Sequence, residues 1–461
     1  MIKIYNTFIK TSVRSSGQAI CSVFRTSHLS GHPDKCEVRQ LTQKNYQPRV
    51  IDTLLQESLE ASGAVWLQGP KWCGKTWSAR QVAQSALMMQ DPDESAGYLQ
   101  QALVKPSLLL AGAVPRLIDE WQVAPVLWDA VRFAVDQRGE MGQFILTGST
   151  MPLRKDTMHS GTGRISRLKM RTMSLFESNE STGQVSLARL FCQDEPEGMA
   201  QLPIESIAFA IARGGWPASI GLSGKAALAQ AGKYLTAIVE NDVFELSDVQ
   251  RNPRRIMLLM RSLARNIATM ASLETLRKDV SGSESELAAS TVVAYLDILE
   301  RLYVVENQPA WSTRLRSKAY LRKSPKRHFV DPSIAVAALH TNPEGLLRDF
   351  NTFGYLFESM CIRDLRIYAQ KLGGEVCHYC DETGLEADAI ITLPDGRWGA
   401  VEIKMGQRQV EEAAGNLLKL KQKVDTEVMH PPVFLMVLTG NGYAMKMDNG
   451  VLVVPITCLK D

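Results

Sequence analysis

A glycine-rich segment near the start of the chain has residue types and spacing that suit phosphate chemistry. Its consecutive residues are Gly69, Pro70, Lys71, Trp72, Cys73, Gly74, Lys75 and Thr76. This pattern is typical of a phosphate-binding loop, whose main-chain N–H groups form an anion site at a helix N-terminus. Lys75 would reach the β- and γ-phosphates of a nucleoside triphosphate, and the Thr76 hydroxyl would bind Mg²⁺. A chance glycine-containing turn is the alternative.

The residues around this loop predict the strand, loop and helix order that the motif requires. An apolar run over residues 63–68 precedes the loop, and a helix-like pattern over residues 77–87 follows it. Residues 50–61 also have the apolar spacing of a helix. Further strand-like runs cover residues 86–89, 114–118 and 142–146. Strands that alternate with helices predict an α/β fold with a parallel sheet, helices on both faces, and a ligand site at the carboxyl ends of the strands.

Polar side chains end two of these predicted strands, where a nucleotide site would lie. Asp119 and Glu120 follow the run over residues 114–118. Asp119 would hold Mg²⁺, directly or through water, and Glu120 would orient or deprotonate the attacking water. Thr147 and Ser149 end the next strand, where a hydroxyl could contact the γ-phosphate. A solvated acidic turn and a capped strand end are the respective alternatives.

Arg164 follows a Gly-Thr-Gly segment and is a candidate arginine finger. Such an arginine neutralises charge in the transition state of phosphoryl transfer, either within its own subunit or from a neighbouring one. The second arrangement needs a homo-oligomer, which therefore becomes a prediction. Arg167 lies close by in the sequence, and an ordinary surface role is the alternative for both arginines.

The ordered segments GPKWCGKT, PRLIDEWQ, FILTGST, GTGRISRLKMRTMSLFE and GGWP resemble the bacterial and archaeal AAA+/STAND-like ATPases. The resemblance runs from about Tyr46 to the C-terminus. Within this group, the chain is similar in particular to the branch with a C-terminal domain of unknown function. It implies an AAA+-like P-loop NTPase core with ATP and Mg²⁺ as cofactors. In the STAND branch a Gly-x-Pro motif of the lid touches adenine. Gly215 and Pro217 match that motif, and Arg213 is a nearby candidate sensor.

The chain of 461 residues is long enough for about two to four domains. We predict five segments: a disordered extension (1–44), an AAA+-like ATPase core (45–200), a helical lid (201–250), a winged-helix-like connector (251–320) and a restriction-endonuclease-like domain (321–461). The first segment is rich in Ser and Thr and poor in acids. A start codon placed too far upstream would explain that composition as well. An organellar targeting peptide is the less favoured alternative, because no later feature of the chain needs this segment.

The overall composition, 45% hydrophobic and 22% charged, is that of a soluble globular protein. A net charge of +3 gives no general signal for nucleic-acid binding, so any basic footprint must be local. The eight cysteines are scattered, which suits a reducing cytoplasm, and Cys377 and Cys380 lack a partner pair for a zinc site. No apolar run reaches about 18 residues, so we predict no membrane span.

The connector has the pattern of a winged helix. We expect a short helix over residues 283–289, a second helix with an apolar face, and a strand over residues 303–306. That apolar face consists of Val292, Leu296, Leu299 and Leu302. Such a module either grips DNA or serves only for packing and switching. The basic run over residues 314–327 contains no acid, so it is a candidate for salt-sensitive phosphate contacts, with a solvated loop as the alternative.

The last part of the chain predicts a second constellation. Helix-like residues 353–371 carry Glu358, and three strand-like runs, a helix and a further strand follow. The runs cover residues 375–379, 386–393 and 399–404, the helix 409–424 and the strand 433–438. This αβββαβ order, with Asp388 on the second strand and Glu402-Ile403-Lys404 on the third, resembles the PD-(D/E)xK restriction-endonuclease-like fold.

The charged residues of this constellation are consistent with metal-dependent cleavage of a phosphodiester. Residues 402 and 404 share one face of a strand, and a neighbouring strand can bring Asp388 beside them. Asp388 and Glu402 would bind Mg²⁺, Lys404 would stabilise charge on the phosphate or position water, and Glu358 could complete the site. A surface hairpin with ordinary exposed charges is the alternative.

Two functions therefore remain open at this stage. In the first, an Mg²⁺-dependent ATPase controls a DNA-cleaving or DNA-gripping C-terminal domain. In the second, a signalling switch binds ATP, hydrolyses it slowly, and uses a catalytically silent C-terminal fold to bind a partner.

Overall fold

The first part of the chain forms a parallel sheet of five strands. The computed structural model describes residues 46–151, 160–245, 252–281, 288–314 and 323–461. The strands are β1 Ala64–Gln68, β2 Ser85–Met88, β3 Arg116–Asp119, β4 Phe144–Gly148 and β5 Ile165–Lys169, with spatial order β2-β3-β4-β1-β5. The helices of this part are α1 Val50–Ala61, α2 Lys75–Val82, α3 Ser95–Val104 and α4 Val126–Arg138. Strands β1 and β4 are buried along their whole length, as expected where helices cover both faces.

Side chains of β1 alternate between two apolar cores because successive residues of a strand point to opposite faces. On one face Trp66 packs edge-on against Trp121 and Trp128, with ring centroids 5.6 and 5.4 Å away. On the other face Val65 and Leu67 pack with the apolar side of α1. This two-sided core fixes the end of β1, from which the phosphate loop emerges.

A helical segment follows the sheet. Before it the chain forms β6 Val185–Ser186, α5 Leu187–Phe191 and β7 Gly198–Ala200. The helices are α6 Ile204–Arg213, α7 Gly224–Ala237 and α8 Val243–Glu245, with a π-helix over Ile238–Asp242 between the last two. The chain then forms α9 Pro253–Arg265, α10 Leu273–Ser281, α11 Ala289–Arg301, β8 Val305–Gln308 and β9 Lys326–Phe329, the last of which lies beyond the predicted connector, 251–320. Strands β8 and β9 pair in antiparallel fashion, and we call this pair the connector hairpin.

The C-terminal part is a second α/β unit. Its helices are α12 Ser333–Ala338, α13 Pro343–Arg348, α14 Phe350–Lys371 and α15 Val410–Lys423. Its strands are β10 Glu375–Cys380, β11 Glu386–Thr392, β12 Trp398–Ile403, β13 Phe434–Thr439, β14 Gly442–Lys446, β15 Leu452–Pro455 and β16 Leu459–Lys460. The sheet order is β10-β11-β12-β13-β15-β14-β7, so β7 from the first half of the chain completes it. Strand β16 pairs with β6, which adds a second cross-connection.

The predicted α/β fold with a parallel sheet is confirmed. The helix predicted over 50–61 has the observed bounds, whereas the one predicted over 77–87 begins at Lys75 and ends at Val82, because the following residues enter β2. The helix predicted over 283–289 falls mainly on residues 282–287, which lie outside the described ranges. Helices α9 and α10 had no counterpart in the sequence analysis. Among the helices of the described ranges, none has the length and hydropathy that spanning a lipid bilayer requires.

Candidate functional site

The phosphate loop leaves β1 at Gln68 and enters α2 at Lys75, with backbone conformations that favour glycine. Gly74, the residue before α2, has φ +103°, and Trp72 has φ +66°. A side chain at Gly69 would put its Cβ 2.1 Å from the carbonyl oxygen of Met170, so only glycine fits there. Left-handed residues next to a helix N-terminus turn successive N–H groups toward one side, which produces an anion site. The predicted loop therefore has the backbone that phosphate binding requires.

The Lys75 ammonium is buried under this loop. Its Nζ donates hydrogen bonds to the carbonyl oxygens of Gly69, at 2.9 Å, and Pro70, at 2.8 Å. Lys75 is only 5% exposed, so these carbonyls replace the water that a buried ammonium would lose. The lysine is thus held within the loop, where an incoming phosphate could exchange for the carbonyls.

Asp119 is the meeting point of the loop and two strand ends. The Thr76 hydroxyl donates to Asp119 Oδ1 at 2.7 Å, and the Thr147 hydroxyl donates to the same oxygen at 2.6 Å. This contact follows from the parallel register, in which Asp119 of β3 pairs with Thr147 of β4. Hydroxyl and carboxylate oxygens are the ligands that Mg²⁺ prefers. The residues present therefore fit a magnesium ion bound next to phosphates, with Thr76 and Asp119 as the residues that would hold it.

Glu120 and Ser149 lie beside this group. Glu120 has a left-handed backbone, with φ +55°, which turns its side chain away from the strand direction. Its Oε2 accepts hydrogen bonds from the Gln122 amide and from the Ser149 hydroxyl, the latter at 3.3 Å. The predicted water-activating carboxylate is thus held at the carboxyl edge of the sheet, next to Asp119.

The helical segment contacts the phosphate loop at three points. A Cβ built on Gly74 would lie 3.5 Å from Pro217 Cγ. The Trp72 ring lies 5.4 Å from the ring of Tyr234 on α7. Lys71 Nζ forms an ion pair with Asp242 Oδ1 at 2.7 Å. The helical segment therefore packs against the loop, and its assignment as a lid stays a prediction.

Gly215 and Arg213, the other lid residues singled out, have structural partners. A Cβ on Gly215 would lie 2.0 Å from the carbonyl oxygen of Met173, and its N–H donates to Asp331 at 2.9 Å. The Arg213 guanidinium pairs with Glu180 and donates from Nε to the carbonyl oxygen of Gly214 at 2.9 Å. Contact of Gly215 and Pro217 with adenine, and the sensor role of Arg213, stay predictions.

Arg49 was missed by the sequence analysis although it holds the loop from behind. Its guanidinium donates to the carbonyl oxygens of Cys73 at 2.8 Å and Arg171 at 2.9 Å, and to Glu177 at 3.0 Å. Both members of the Arg49–Glu177 ion pair are buried. The three partners lie 24 to 128 residues away in sequence, so a lone arginine before a helix gave no signal of this role.

Arg164 lies at the amino ends of the strands, whereas the loop leaves the carboxyl end of β1. Its carbonyl oxygen accepts from the N–H of Ala64, the first residue of β1, whereas the loop follows the last residue, Gln68. The guanidinium pairs with Asp136 at 2.7 Å and is about half exposed. This position separates Arg164 from the loop of its own chain, so only a role toward a neighbouring subunit stays a prediction. The ring of Trp66 lies 5.3 Å from the Arg167 guanidinium.

The C-terminal constellation is assembled as the strand pattern predicted. Ala389 of β11 pairs with Val401 of β12, which brings Asp388 beside Glu402. Asp388 Oδ2 accepts from the N–H of Ile403 at 2.8 Å. We call Glu358, Asp388 and Glu402 the acidic cluster.

Two lysines contact this cluster. Lys404 Nζ lies 2.9 Å from Glu402 and 3.6 Å from Asp388. Lys326, from β9 of the connector hairpin, donates to Glu358 at 2.9 Å and Asp388 at 3.3 Å. Lys326 was absent from the predicted site because it lies 62 residues before Asp388 and was assigned only to the basic run over 314–327.

Burial and charge set the protonation of the acidic cluster. Burial, followed by the neighbouring Asp388, raises the pKa of Glu402 to about 8 and that of Glu358 to about 7. Burial also acts to raise the pKa of Asp388, but the ammonium groups of Lys326 and Lys404 outweigh it, so that pKa lies below its ordinary value. Asp388 is therefore the carboxylate that stays ionised, and both lysines stabilise it.

In this arrangement the cluster does not fit a divalent cation. Within the described ranges, no three His, Cys, Asp or Glu side chains converge closely enough to hold a metal ion. The Lys326 ammonium lies between Glu358 and Asp388, which are the oxygens that such an ion would bridge. The Cys377–Cys380 pair is also explained without metal, since Cys377 packs in the apolar core. Of the basic run over 314–327, residues 315–322 lie outside the described ranges.

Comparison with known protein families agrees with the loop geometry. Residues 61–179 match a family model described as "AAA domain". Residues 204–345 and 353–459 match models described as "Domain of unknown function (DUF8612)" and "Domain of unknown function (DUF4143)". No curated protein matches the chain. The chain thus carries an AAA-type P-loop ATPase domain, and its C-terminal region matches a domain whose function is unknown.

Solved structures resemble the chain only distantly. A Walker-type ATPase of Pyrococcus abyssi is 13% identical with a TM-score of 0.41, over 64% of this chain and 97% of that one. DnaA from Aquifex aeolicus bound to AMPPCP is 13% identical with a TM-score of 0.26, over 54% of this chain and 86% of that one. RuvB from Thermotoga maritima is 15% identical with a TM-score of 0.24, over 56% of this chain and 89% of that one. At these TM-scores the likenesses carry no argument about function.

Proposed function

We propose that the chain is an Mg²⁺-dependent ATPase whose nucleotide state controls the arrangement of its C-terminal domain. The observation that carries the proposal is the 2.7 Å hydrogen bond from Thr76 to Asp119, beside a Lys75 ammonium buried in the phosphate loop. A bound Mg²⁺ would supply charge neutralisation at the phosphates. Within the chain, Lys75 would exchange its loop carbonyls for phosphate oxygens. Glu120 would orient the attacking water or accept its proton, and Thr147 and Ser149 would report on the γ-phosphate.

Contacts between the loop and the connector support a route for nucleotide control. Met170 packs under Gly69 of the loop, and the next residue, Arg171, forms an ion pair with Glu306 of β8 at 2.5 Å. The Glu306 carboxylate also pairs with Lys169 at 3.3 Å and with Arg366 of α14 at 3.6 Å. Glu306 therefore joins the end of β5, the connector hairpin and the C-terminal domain.

The charges around Glu306 keep it ionised despite its burial. Burial alone would raise the pKa of Glu306, but Arg171, Arg366 and Lys169 hold it well below its ordinary range. A movement of Arg171 would remove one of the three cationic partners of this buried carboxylate and so would destabilise the group of charges that keeps it ionised. A shift at the loop should therefore be transmitted to the hairpin instead of being absorbed locally.

We further propose that the C-terminal domain is restriction-endonuclease-like and that the connector is a winged helix. Helix α14, the antiparallel strands β10, β11 and β12, helix α15 and the parallel strand β13 support the first assignment. Three helices followed by the antiparallel connector hairpin support the second. DNA is the partner that these folds and the basic run over 314–327 favour.

The second candidate function is a switch with a catalytically silent C-terminal domain. The position of Lys326 inside the acidic cluster favours it. A nicking assay with Mg²⁺, using Asp388→Ala and Lys404→Ala as controls, distinguishes the two. Cleavage by the wild type that both variants lose supports a nuclease, whereas intact DNA in all three supports the silent module.

Binding of ATP is the test of the proposal as a whole. Titration calorimetry with Mg²⁺ should detect ATP binding by the wild type and none by Lys75→Ala. Lys105→Ala is the matched control, because Lys105 is exposed after α3. Turnover should then be measured with and without DNA, and stimulation by DNA would favour control of a DNA-acting domain. Failure of the wild type to bind ATP at any Mg²⁺ concentration would overturn the proposal.

A further inference from the structure

Lys326 reaches the acidic cluster from outside the C-terminal sheet. It begins β9 of the connector hairpin, yet it is only 4% exposed and its ammonium lies among side chains of α14 and β11. A lysine is almost never buried to this degree unless it is paired. The two contacts, to Glu358 and Asp388, provide that pairing.

Contacts with β10 and β11 hold the connector hairpin in place, and they thereby fix the position of Lys326. Gln308, which pairs with Lys326 across the hairpin, donates from Nε2 to the carbonyl oxygens of Cys377 at 2.9 Å and Asp388 at 2.8 Å. Gln308 Oε1 in turn lies 3.0 Å from Nε2 of the buried His328. The next residues pair with β10 through two main-chain bonds: the Trp311 N–H donates to the carbonyl oxygen of His378 at 2.7 Å, and the His378 N–H donates to that of Pro309 at 2.9 Å. The Lys326 side chain therefore enters the cluster from a fixed support.

The charges at this position exclude a second cation. Three carboxyl groups, of which Asp388 is the one that stays ionised, face two ammonium groups, and all five side chains are largely buried. A divalent ion placed between Glu358 and Asp388 would lie at the position of the Lys326 ammonium and would be repelled by it. Buried ion pairs of this kind are strongly destabilised when one partner is removed, so the lysine cannot simply withdraw while the hairpin stays docked.

We infer that Lys326 is a resident cation that takes the place of a divalent metal in the acidic cluster, and that the connector hairpin thereby holds the C-terminal site closed. The inference goes beyond ATP hydrolysis and stands on the contacts of Lys326 alone. It assigns the hairpin a second role besides packing, namely control of access to the cluster.

The test is Mn²⁺ binding to the full-length chain without nucleotide, measured by electron paramagnetic resonance. The wild type and Asp388→Asn should bind Mn²⁺ equally, because the wild-type cluster is already filled by Lys326. Lys326→Met should gain one site, at least about tenfold tighter than any in the wild type, and the added Asp388→Asn change should abolish it. Lys326→Arg, which keeps the positive charge, should stay like the wild type.

Thermal unfolding provides a second readout. Lys326→Met should have a lower Tm than the wild type, and Mn²⁺ should raise that Tm while leaving the wild-type Tm unchanged. A wild-type Mn²⁺ site that Asp388→Asn removes would overturn the inference, and this comparison does not depend on the folding of Lys326→Met. A folded Lys326→Met that gains no site would overturn it too. Neither result would affect ATP binding, which depends on Lys75.

Discussion

Lys71 of the phosphate loop forms an ion pair with Asp242 of the helical segment, with Nζ 2.7 Å from Oδ1. The Asp242 carboxylate is buried and lies on the π-helix between α7 and α8. Such π-helical turns frequently lie at functional sites. In the proposed site the loop would surround the phosphates, so Asp242 holds Lys71 at the place where negative charge would arrive.

We predict that Asp242→Asn raises the affinity for ATP by a few-fold, about two- to fivefold, since it removes a carboxylate that competes with phosphate for Lys71. Fluorescent-nucleotide titration measures the change. Glu240→Gln is the matched control, because Glu240 is exposed on the same π-helix. Weaker binding by Asp242→Asn would mean that the pair organises the loop instead of competing for it.

Arg49 should be indispensable for the stability of the loop. Arg49→Met would leave Glu177 as a buried unpaired carboxylate and would release the Cys73 carbonyl, at a cost of about 3–5 kcal/mol in the free energy of unfolding. Arg49 contacts its three partners through three different guanidinium nitrogens. Arg49→Lys offers a single nitrogen that cannot reach all three positions, so it should fall between Arg49→Met and the wild type. Urea unfolding measures the difference. A loss below about 1 kcal/mol for Arg49→Met would contradict a clamping role.

Two glycines offer a matched test of the lid. A Cβ at Gly215 would clash with the main chain of Met173, so Gly215→Ala should destabilise the protein by about 1–3 kcal/mol and weaken nucleotide binding. A Cβ at Gly232, within α7, would meet no atom within 4 Å, so Gly232→Ala should stabilise the protein by about 0.5–1 kcal/mol. Calorimetric Tm values test both. If both variants shifted the Tm by the same amount in the same direction, the result would contradict the predicted close packing at Gly215.

Acid should destabilise the fold through buried histidine. Burial, followed by the charge of Lys326, lowers the pKa of His378 to about 4, and His378 is 0% exposed. Between these pH values His378 is protonated in the unfolded chain but neutral in the folded chain. The free energy of unfolding therefore decreases as the pH falls from about 6.5 toward 4. Between about pH 7 and pH 5 the expected loss from His378 is about 2 kcal/mol. Urea unfolding of His378→Leu should show a smaller loss over that interval, and an equal loss would contradict the assignment.

The features that sequence reasoning could predict are those set by local pattern. The phosphate loop is a contiguous motif between a strand and a helix, and both flanks were found within a few residues of their observed positions. The approach of Asp388 to Glu402 was also predictable, because strand alternation and a short hairpin determine it. The charges of Glu402 and Lys404 then had to share one face.

The features that were missed depend on residues far apart in sequence. Arg49 and Glu306 have no motif around them, and Lys326 lies in the basic run over 314–327, which predicted phosphate contacts instead. Only the folded chain brings each of the three to its partners. Strands β6 and β7 lie within the predicted core segment 45–200, yet they pair with C-terminal strands. No local periodicity in the sequence predicts such pairings, because they arise from the tertiary packing of short segments.

Turnover by Glu120→Gln tests the central claim most directly. The account predicts that this variant binds Mg²⁺-ATP as the wild type does but hydrolyses it at least about 100-fold more slowly, because the amide cannot accept a proton from water. Glu57→Gln, an exposed change on α1, should turn over ATP at the wild-type rate. Release of phosphate at substrate saturation is the measurement. Wild-type turnover by Glu120→Gln would contradict the assignment of Glu120 as the residue that activates water.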